Sequence, residues 1–466
     1  MKKALSAAMA AGMTAVMLAG CGSSASSAAE STAPAESTSA AASTEAAAES
    51  VVSAPTALSF VFADGDDTFK TQMNKIVDDF NASQDEIEVK AEYQGTYDDT
   101  ITKLKAAMQS DSGLPDVCQM YDVGTKFMYD SGAVIPVEDK FESTGYDKSS
   151  VMGVISSYYT VDGKQYSMPF NVSTPMLYYN KDVFEAAGLD PETPPTTYDE
   201  VLEDAKKIVE SGAAPVGYSQ AIYGWFFEQQ LAGLGVTYGN NDNGRTEAVT
   251  AVDFDSNGGG LKVFDMWKKL YDSGCFEDYG TTTADTQTAF FSGQVGMIIE
   301  STAILKNAVD SSPFEVGTGY LPRIEQNDEG GVIIGGGSLW LTDTGNEANE
   351  DAAWKFIEYI TTPDVQAKWS MGTGYFAINE KAYETEDMKA YLKENPNFET
   401  AINQLKDSPV NCNTAGVLSG VQTEARLTFN EIMPQVYDGK LTTQDAVDQL
   451  AASVNKAIEN YNESIK

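Results

Sequence analysis

No histidine occurs anywhere in the 466 residues. That absence removes Ser-His-Asp and Cys-His catalysis and zinc sites of the HExxH type. Positive charge is scarce as well: 30 lysines and arginines stand against 69 acidic residues, a net charge of −39. Such a chain repels phosphate backbones, so nucleic acid is not expected as a partner, and an anionic membrane surface does not attract its body. Only three of the cations are arginines: Arg245, Arg323 and Arg426. The four cysteines, Cys21, Cys118, Cys275 and Cys412, include no CxxC pair, which leaves a thiolate metal site or a dithiol redox centre without support. No metal, no cofactor and no enzymatic activity are expected. Hydrolysis by paired carboxylates needs neither histidine nor cysteine, but among 69 acidic residues a carboxylate pair carries no information.

What is present begins with an address. Lys2 and Lys3 precede a small apolar run, Ala4 to Ala19, too short to cross a hydrocarbon core that needs about 20 helical residues but suited to a secretory signal. It ends Leu18-Ala19-Gly20-Cys21, which resembles the bacterial lipoprotein signal. The resemblance implies a signal peptide over 1–20 and a lipidated Cys21 that anchors the protein on the outer face of the cell membrane. Residues 21–55 are then a tether. From Gly22 to Pro55, 29 of 34 residues are Ala, Ser, Thr or Glu, a composition that cannot bury enough apolar surface to fold and that spans roughly 30 Å as a flexible coil. With Cys21 acylated, three cysteines remain, and no functional disulfide is expected.

The globule starts at a β-rich run, Ala57 to Phe62. Helical spacing follows over Thr68–Phe80, strand alternation over Ile87–Tyr93, a helix over Asp98–Met108 and a strand over Pro115–Tyr121. This β-α-β-α-β order favours a parallel sheet covered by helices. Further amphipathic helices are expected over Tyr198–Glu210, Leu261–Ser273, Glu347–Ile360 and Thr443–Tyr461, with Pro363 opening another. A chain of this length is expected to form two domains.

Three stretches carry a family resemblance. The first runs from Pro169-Phe170-Asn171 through Tyr178-Tyr179-Asn180-Lys181-Asp182. The second is Ile333-Ile334-Gly335-Gly336-Gly337-Ser338-Leu339-Trp340. The third runs from Trp354-Lys355-Phe356-Ile357 through Trp369 to Gly374-Tyr375. Together they resemble the extracellular solute-binding proteins of ABC importers, in the maltose-binding-like group, and within it the glycerol-3-phosphate-binding branch. The resemblance implies the α/β, two-lobe, type II binding-protein fold, each lobe a mainly parallel sheet with flanking helices. Lobe 1 is expected over 56–166 plus about 301–340, lobe 2 over 167–300 plus about 341–466, and ligand in the cleft between them.

The same resemblance places ligand contacts at Tyr97, Asp122, Ser173, Trp225, Ser301, Gly336, Tyr375 and Arg426. A guanidinium is a planar fork suited to phosphate; taken alone, Arg426 reads rather as a surface helix arginine paired with Glu431 or Glu424, and the resemblance reverses that reading. Gly336 would let a backbone N–H approach an anion without a Cβ in the way. The hydroxyls of Ser173 and Ser301 can donate to phosphate or glycerol oxygens, or else cap a turn and a helix. Tyr97 and Tyr375 offer an apolar wall with a polar tip. Asp122 stands where the family carries Glu, one methylene shorter. The function implied is a lipid-anchored, monomeric receptor that binds glycerol-3-phosphate or a glycerophosphodiester and hands it to permease subunits. The alternative is a receptor for a neutral mono- or oligosaccharide. If Arg426 serves only the ligand, its truncation should leave the empty protein's unfolding nearly unchanged.

Overall fold

The structure is a computed structural model that describes residues 54–63, 65, 67–110 and 113–465. The signal, Cys21 and nearly all of the tether lie outside the described residues. No described helix is long and apolar enough to cross a membrane.

Twelve strands occur among the described residues: β1 Thr56–Phe62, β2 Ile87–Tyr93, β3 Val117–Tyr121, β4 Val134–Ile135, β5 Thr160–Val161, β6 Lys164–Gln165, β7 Met168–Ser173, β8 Pro175–Asn180, β9 Val216–Ser219, β10 Val295–Ser301, β11 Val316–Gly319 and β12 Gly335–Thr342. One sheet has the order β2-β1-β3-β12-β4 with β7 also on β12; a second has the order β11-β8-β10-β9, and β5 pairs β6 separately. These two sheets centre the two lobes.

The first lobe begins as the β-α-β-α-β pattern predicts. Phe69, Met73, Ile76, Val77 and Phe80 form the buried stripe of helix Asp67–Ser83, which returns the chain so that β1 and β2 pair in parallel. The helix Tyr97–Met108 is opened by a capping box in which Thr96 and Asp99 each bond the other's backbone N–H, and it delivers β3 parallel to β1. Parallel pairing does not extend through the sheets. β12 runs antiparallel to β3, β4 and β7, because it enters this sheet only after the chain has built the second one. There β8 pairs antiparallel with β10 and β11, and only β9 and β10 are parallel.

The sheets also redraw the expected lobe boundaries. β11, expected in lobe 1, pairs with β8 in the second sheet. Helices Glu347–Ile360 and Pro363–Thr373, expected in lobe 2, belong to the first: Phe356 packs on Phe60 and Phe80, and Trp369 on Phe69 and Phe170. The C-terminal helices Gln422–Tyr437 and Thr443–Ser464 remain with the second lobe, where Phe429 meets Phe227, Phe264 and Trp267.

Arg245 joins distant parts of the chain. It follows a turn in which Asn241, Asp242 and Asn243 all have left-handed φ/ψ, a conformation Asn and Asp tolerate better than other side chains. Its Nε donates to the Gly416 carbonyl at 3.0 Å and its Nη1 to the Tyr158 carbonyl at 2.8 Å, while Nη2 reaches the Ala415 carbonyl. Burial draws its pKa down to about 10, which still leaves it charged at neutral pH. Arg245→Met should strand these carbonyls and lower stability by about 2–4 kcal/mol, read as a fall in the urea midpoint. An unchanged midpoint would show that water replaces the guanidinium.

Cys118 lies in β3 and is fully buried; Cys275 and Cys412 are half-buried, and none of the three is paired. Burial pushes the Cys118 thiol far up, and the thiolate is the reactive form. Alkylation of native protein followed by peptide mapping should therefore mark Cys275 and Cys412 and spare Cys118 until unfolding. Labelling of Cys118 at the same rate as the other two would contradict its burial.

Candidate functional site

A cavity of about 680 Å³ opens between the lobes, and Tyr97, Asp122, Ser173, Trp225, Ser301, Gly336, Tyr375 and Arg426 all line it. Eight residues spread over more than three hundred positions are thus brought to one cleft. A second cavity, about 570 Å³, lies between Pro194 and Asp407 and contains none of them.

Local structure accounts for each placement. Tyr97 opens its helix directly after the Thr96 cap; its ring stacks on Tyr121 at 4.8 Å and its hydroxyl accepts from Asn171 Nδ2 at 3.0 Å. Asp122 starts the turn that ends β3 and is buried, with Oδ1 accepting from the Val123 N–H at 2.8 Å. Ser173 and Ser301 close β7 and β10. The Ser301 hydroxyl caps the next turn, accepting from the Ala303 N–H at 3.1 Å, so its capping role is realised beside its place in the cleft. Tyr375 follows Gly374, whose φ of +95° ends the preceding helix, and it packs against Trp369 and Phe69. Trp225 lies in helix Gly224–Gly233 and its indole Nε1 has no hydrogen-bond partner among the described residues, although the side chain is buried.

Arg426 is 7% exposed, and its neighbours are not those the sequence offered. Neither Glu424 nor Glu431 pairs with it. Instead its Nε and Nη2 fork onto Glu228 at 2.7 and 2.8 Å, and Nη2 also reaches Asp122 Oδ2 at 3.1 Å across the cleft. Gly224 makes this possible: a Cβ there would lie 2.5 Å from the Arg426 Cα, so only glycine lets the two helices close. Burial opposes the guanidinium charge, but Asp122 and Glu228 outweigh it and hold the group protonated well beyond its ordinary range. A guanidinium has five N–H donors. Three are committed to these carboxylates, and Nη1 makes no hydrogen bond among the described residues.

The cleft is a chamber of mixed aromatic and polar lining in which Arg426 is the one cation among the described residues, alongside Asp98, Asp122 and Glu300. Tyr223 and Trp225 supply aromatic wall, and the Arg426 guanidinium sits 5.9 Å from the Tyr223 ring centroid. Glu228 and Glu300 were not singled out by sequence. Glu228 is 198 positions from Arg426 and belongs to a helix buried on every side, which has no polar face to read. The only signal was a carboxylate set in an otherwise apolar run, Trp225-Phe226-Phe227-Glu228.

Two α/β lobes that share one cleft define the two-lobe binding-protein class of fold. The sequence profile of the bacterial extracellular solute-binding proteins matches residues 75–400, and the chain belongs to that family. The sn-glycerol-3-phosphate-binding periplasmic protein UgpB of Escherichia coli K12 is 30% identical over 402 residues, 85% of this chain and 91% of that protein. The UgpB protein of Pectobacterium atrosepticum is 30% identical over 403 residues, covering 85% and 90%. Among solved structures, UgpB from Mycobacterium tuberculosis in complex with glycerophosphocholine superposes with a TM-score of 0.73 at 19% identity, covering 88% of this chain and 99% of that one. The cyclic α-maltosyl-1,6-maltose binding protein from Arthrobacter globiformis gives a TM-score of 0.73 at 25% identity, covering 87% and 100%. The fold is thus the type II periplasmic-binding-protein fold.

Proposed function

We propose that this chain is the lipid-anchored receptor of an ABC importer, binding glycerol-3-phosphate or a glycerophosphodiester and delivering it to permease subunits. The observation that carries the reading is Arg426. It is the sole cation lining the cleft among the described residues, it is buried, and it keeps both Nη1 hydrogens uncommitted. Charge-assisted bonds from a guanidinium to phosphate are roughly twice as strong as neutral ones, and Ser173, Ser301 and the backbone at Gly336 add neutral donors around the same chamber. Asp122 can accept hydroxyl hydrogens of the glycerol part. The match to UgpB relatives over 85% of the chain agrees with this ligand class. No step of the function makes or breaks a covalent bond. The reading includes acylation at Cys21 and a monomeric receptor body.

A neutral sugar is the second reading, and one observation favours it: Glu228 and Asp122 already offset the Arg426 charge, as suits a ligand that brings hydroxyls alone. Titration calorimetry against glycerol-3-phosphate, glycerophosphocholine and a small sugar panel separates the two. Tight binding of a phosphate ester with silence from the sugars supports the first, and the reverse pattern replaces it with the second. Ligand that closes the lobes by hinge motion should also lower the radius of gyration in small-angle scattering. Release of a Cys21→Ser protein from the membrane tests the anchor.

A further inference from the structure

We infer that Glu300 is a specificity-determining residue of the cleft, a carboxylate that receives a primary ammonium group carried by the ligand. The inference rests on the cleft being the ligand site, as proposed above.

Glu300 stands next to the end of β10, opposite Met176 of β8, and lines the cavity with Gln287 of helix Thr283–Phe291. Only 3% of it is exposed. Its Oε1 accepts from the Ser301 N–H at 2.7 Å and its Oε2 from Gln287 Nε2 at 3.0 Å. Both donors are neutral, and no lysine or arginine forms an ion pair with it among the described residues. This contrasts with Glu228, equally buried, whose charge is met by the Arg426 fork. A buried carboxylate without a cation is unfavourable. Burial pushes both carboxyls above their ordinary range, Glu228 against the pull of Arg426 and Glu300 against the pull of two neutral hydrogen bonds; what separates them is the cation that only Glu228 has. An ionised carboxylate has about four acceptor positions, of which two are filled. A ligand ammonium in the cavity that Glu300 lines would supply the charged donor that the described residues do not.

The cavity has room for such a ligand. Its volume, about 680 Å³, falls within the range of roughly 300–1,000 Å³ that holds drug-sized molecules, well beyond what a three-carbon phosphate fills. The unpartnered Trp225 Nε1 marks the same chamber as built for something that brings its own polar groups. A phosphodiester also suits the Arg426 end better than a monoester. One negative charge, rather than nearly two, is added beside Asp122 and Glu228.

The test is calorimetric titration of the full chain and of Glu300→Gln with two probes, a glycerophosphodiester of ethanolamine and sn-glycerol-3-phosphate. Wild-type protein should prefer the ammonium-bearing diester. Glu300→Gln should weaken that diester about ten- to a hundredfold, the scale of one charged hydrogen bond, while glycerol-3-phosphate changes less than about twofold. Glu300→Asp, which keeps the charge on a shorter arm, should recover part of the loss. Equal losses for both probes, or none for either, overturn the assignment, because a merely structural Glu300 would not distinguish them. If wild-type protein binds neither phosphate ester, the phosphate reading falls and Glu300 is judged on glucosamine against glucose, where Glu300→Gln should weaken only the amine. Wild-type protein that binds none of the four overturns both.

Discussion

Replacing Arg426 with alanine is expected to abolish glycerophosphate binding and, at the same time, to destabilise the ligand-free protein. The first effect follows from losing the cleft's cation: truncating one partner of a buried charged contact costs about 2–5 kcal/mol, or roughly thirtyfold to several thousandfold in affinity. The second corrects the expectation that a ligand arginine can be removed without touching the fold. Arg426 is held by Glu228 and Asp122 in the empty cleft, so alanine leaves Glu228 buried with Gln422 as its remaining donor. Breaking a buried pair costs about 3–5 kcal/mol. Protonation of Glu228 caps the loss: moving a carboxyl from about 4.3 to neutral pH costs about 1.4 kcal/mol per pH unit, close to 4 kcal/mol at pH 7.

That cap sets a pH signature. In the variant the folded-state pKa of Glu228 is raised above its unfolded value, so the deficit is largest at neutral pH and shrinks as pH falls toward 5. Denaturant melts of wild type and Arg426→Ala at pH 5 and pH 7 read it. A deficit independent of pH would mean that Glu228 is already neutral beside Arg426. The triple variant Asp122→Asn, Glu228→Leu, Arg426→Met removes the whole buried charge cluster together and should recover much of the stability while still failing to bind. Recovered binding in the triple variant would remove Arg426 from the site altogether.

The contrast between Arg426 and the rest shows what the sequence makes readable. Helix Glu347–Ile360 is found at the residues its apolar spacing predicts, and Pro363 does open the next helix, because caps and periodicity are local properties. The eight cleft positions were readable only through the family motifs; nothing in spacing alone links Tyr97 to Arg426. The partners of those residues were not readable by either route. Glu228 and Asp122 reach Arg426 from 198 and 304 positions away, and a family motif marks who touches ligand rather than who holds the contact in place. β11 misled for a related reason. Its membership in the second sheet is decided by pairing with β8 across more than a hundred residues, and its four residues carry no label for either lobe.

Gly336→Ala should have the other large effect, and for a reason that differs from close approach to an anion. Gly336 has φ of +93°, and a Cβ built there would lie 1.8 Å from the Asn171 carbonyl oxygen. That oxygen is backbone in β7, which pairs with β12 at Gly336↔Val172, and the register shifts just beyond, between Gly337 and Ser338. A side chain therefore meets a strand that cannot swing aside, besides the roughly 1–2 kcal/mol that a left-handed conformation costs an L-residue. The expected loss is about 3–5 kcal/mol, the range reserved for strain and overpacking in a core. Because Ser173 and Gly336 line the same wall, separating β7 from β12 should weaken ligand as well. Gly274 is the control: its φ of +73° is also left-handed, but nothing stands within 4 Å of its missing Cβ. Gly274→Ala should cost only about 1–2 kcal/mol and leave binding intact. If urea melts give the two variants the same deficit, the contact with Asn171 does not constrain this strand, and the glycine is there for the ligand alone.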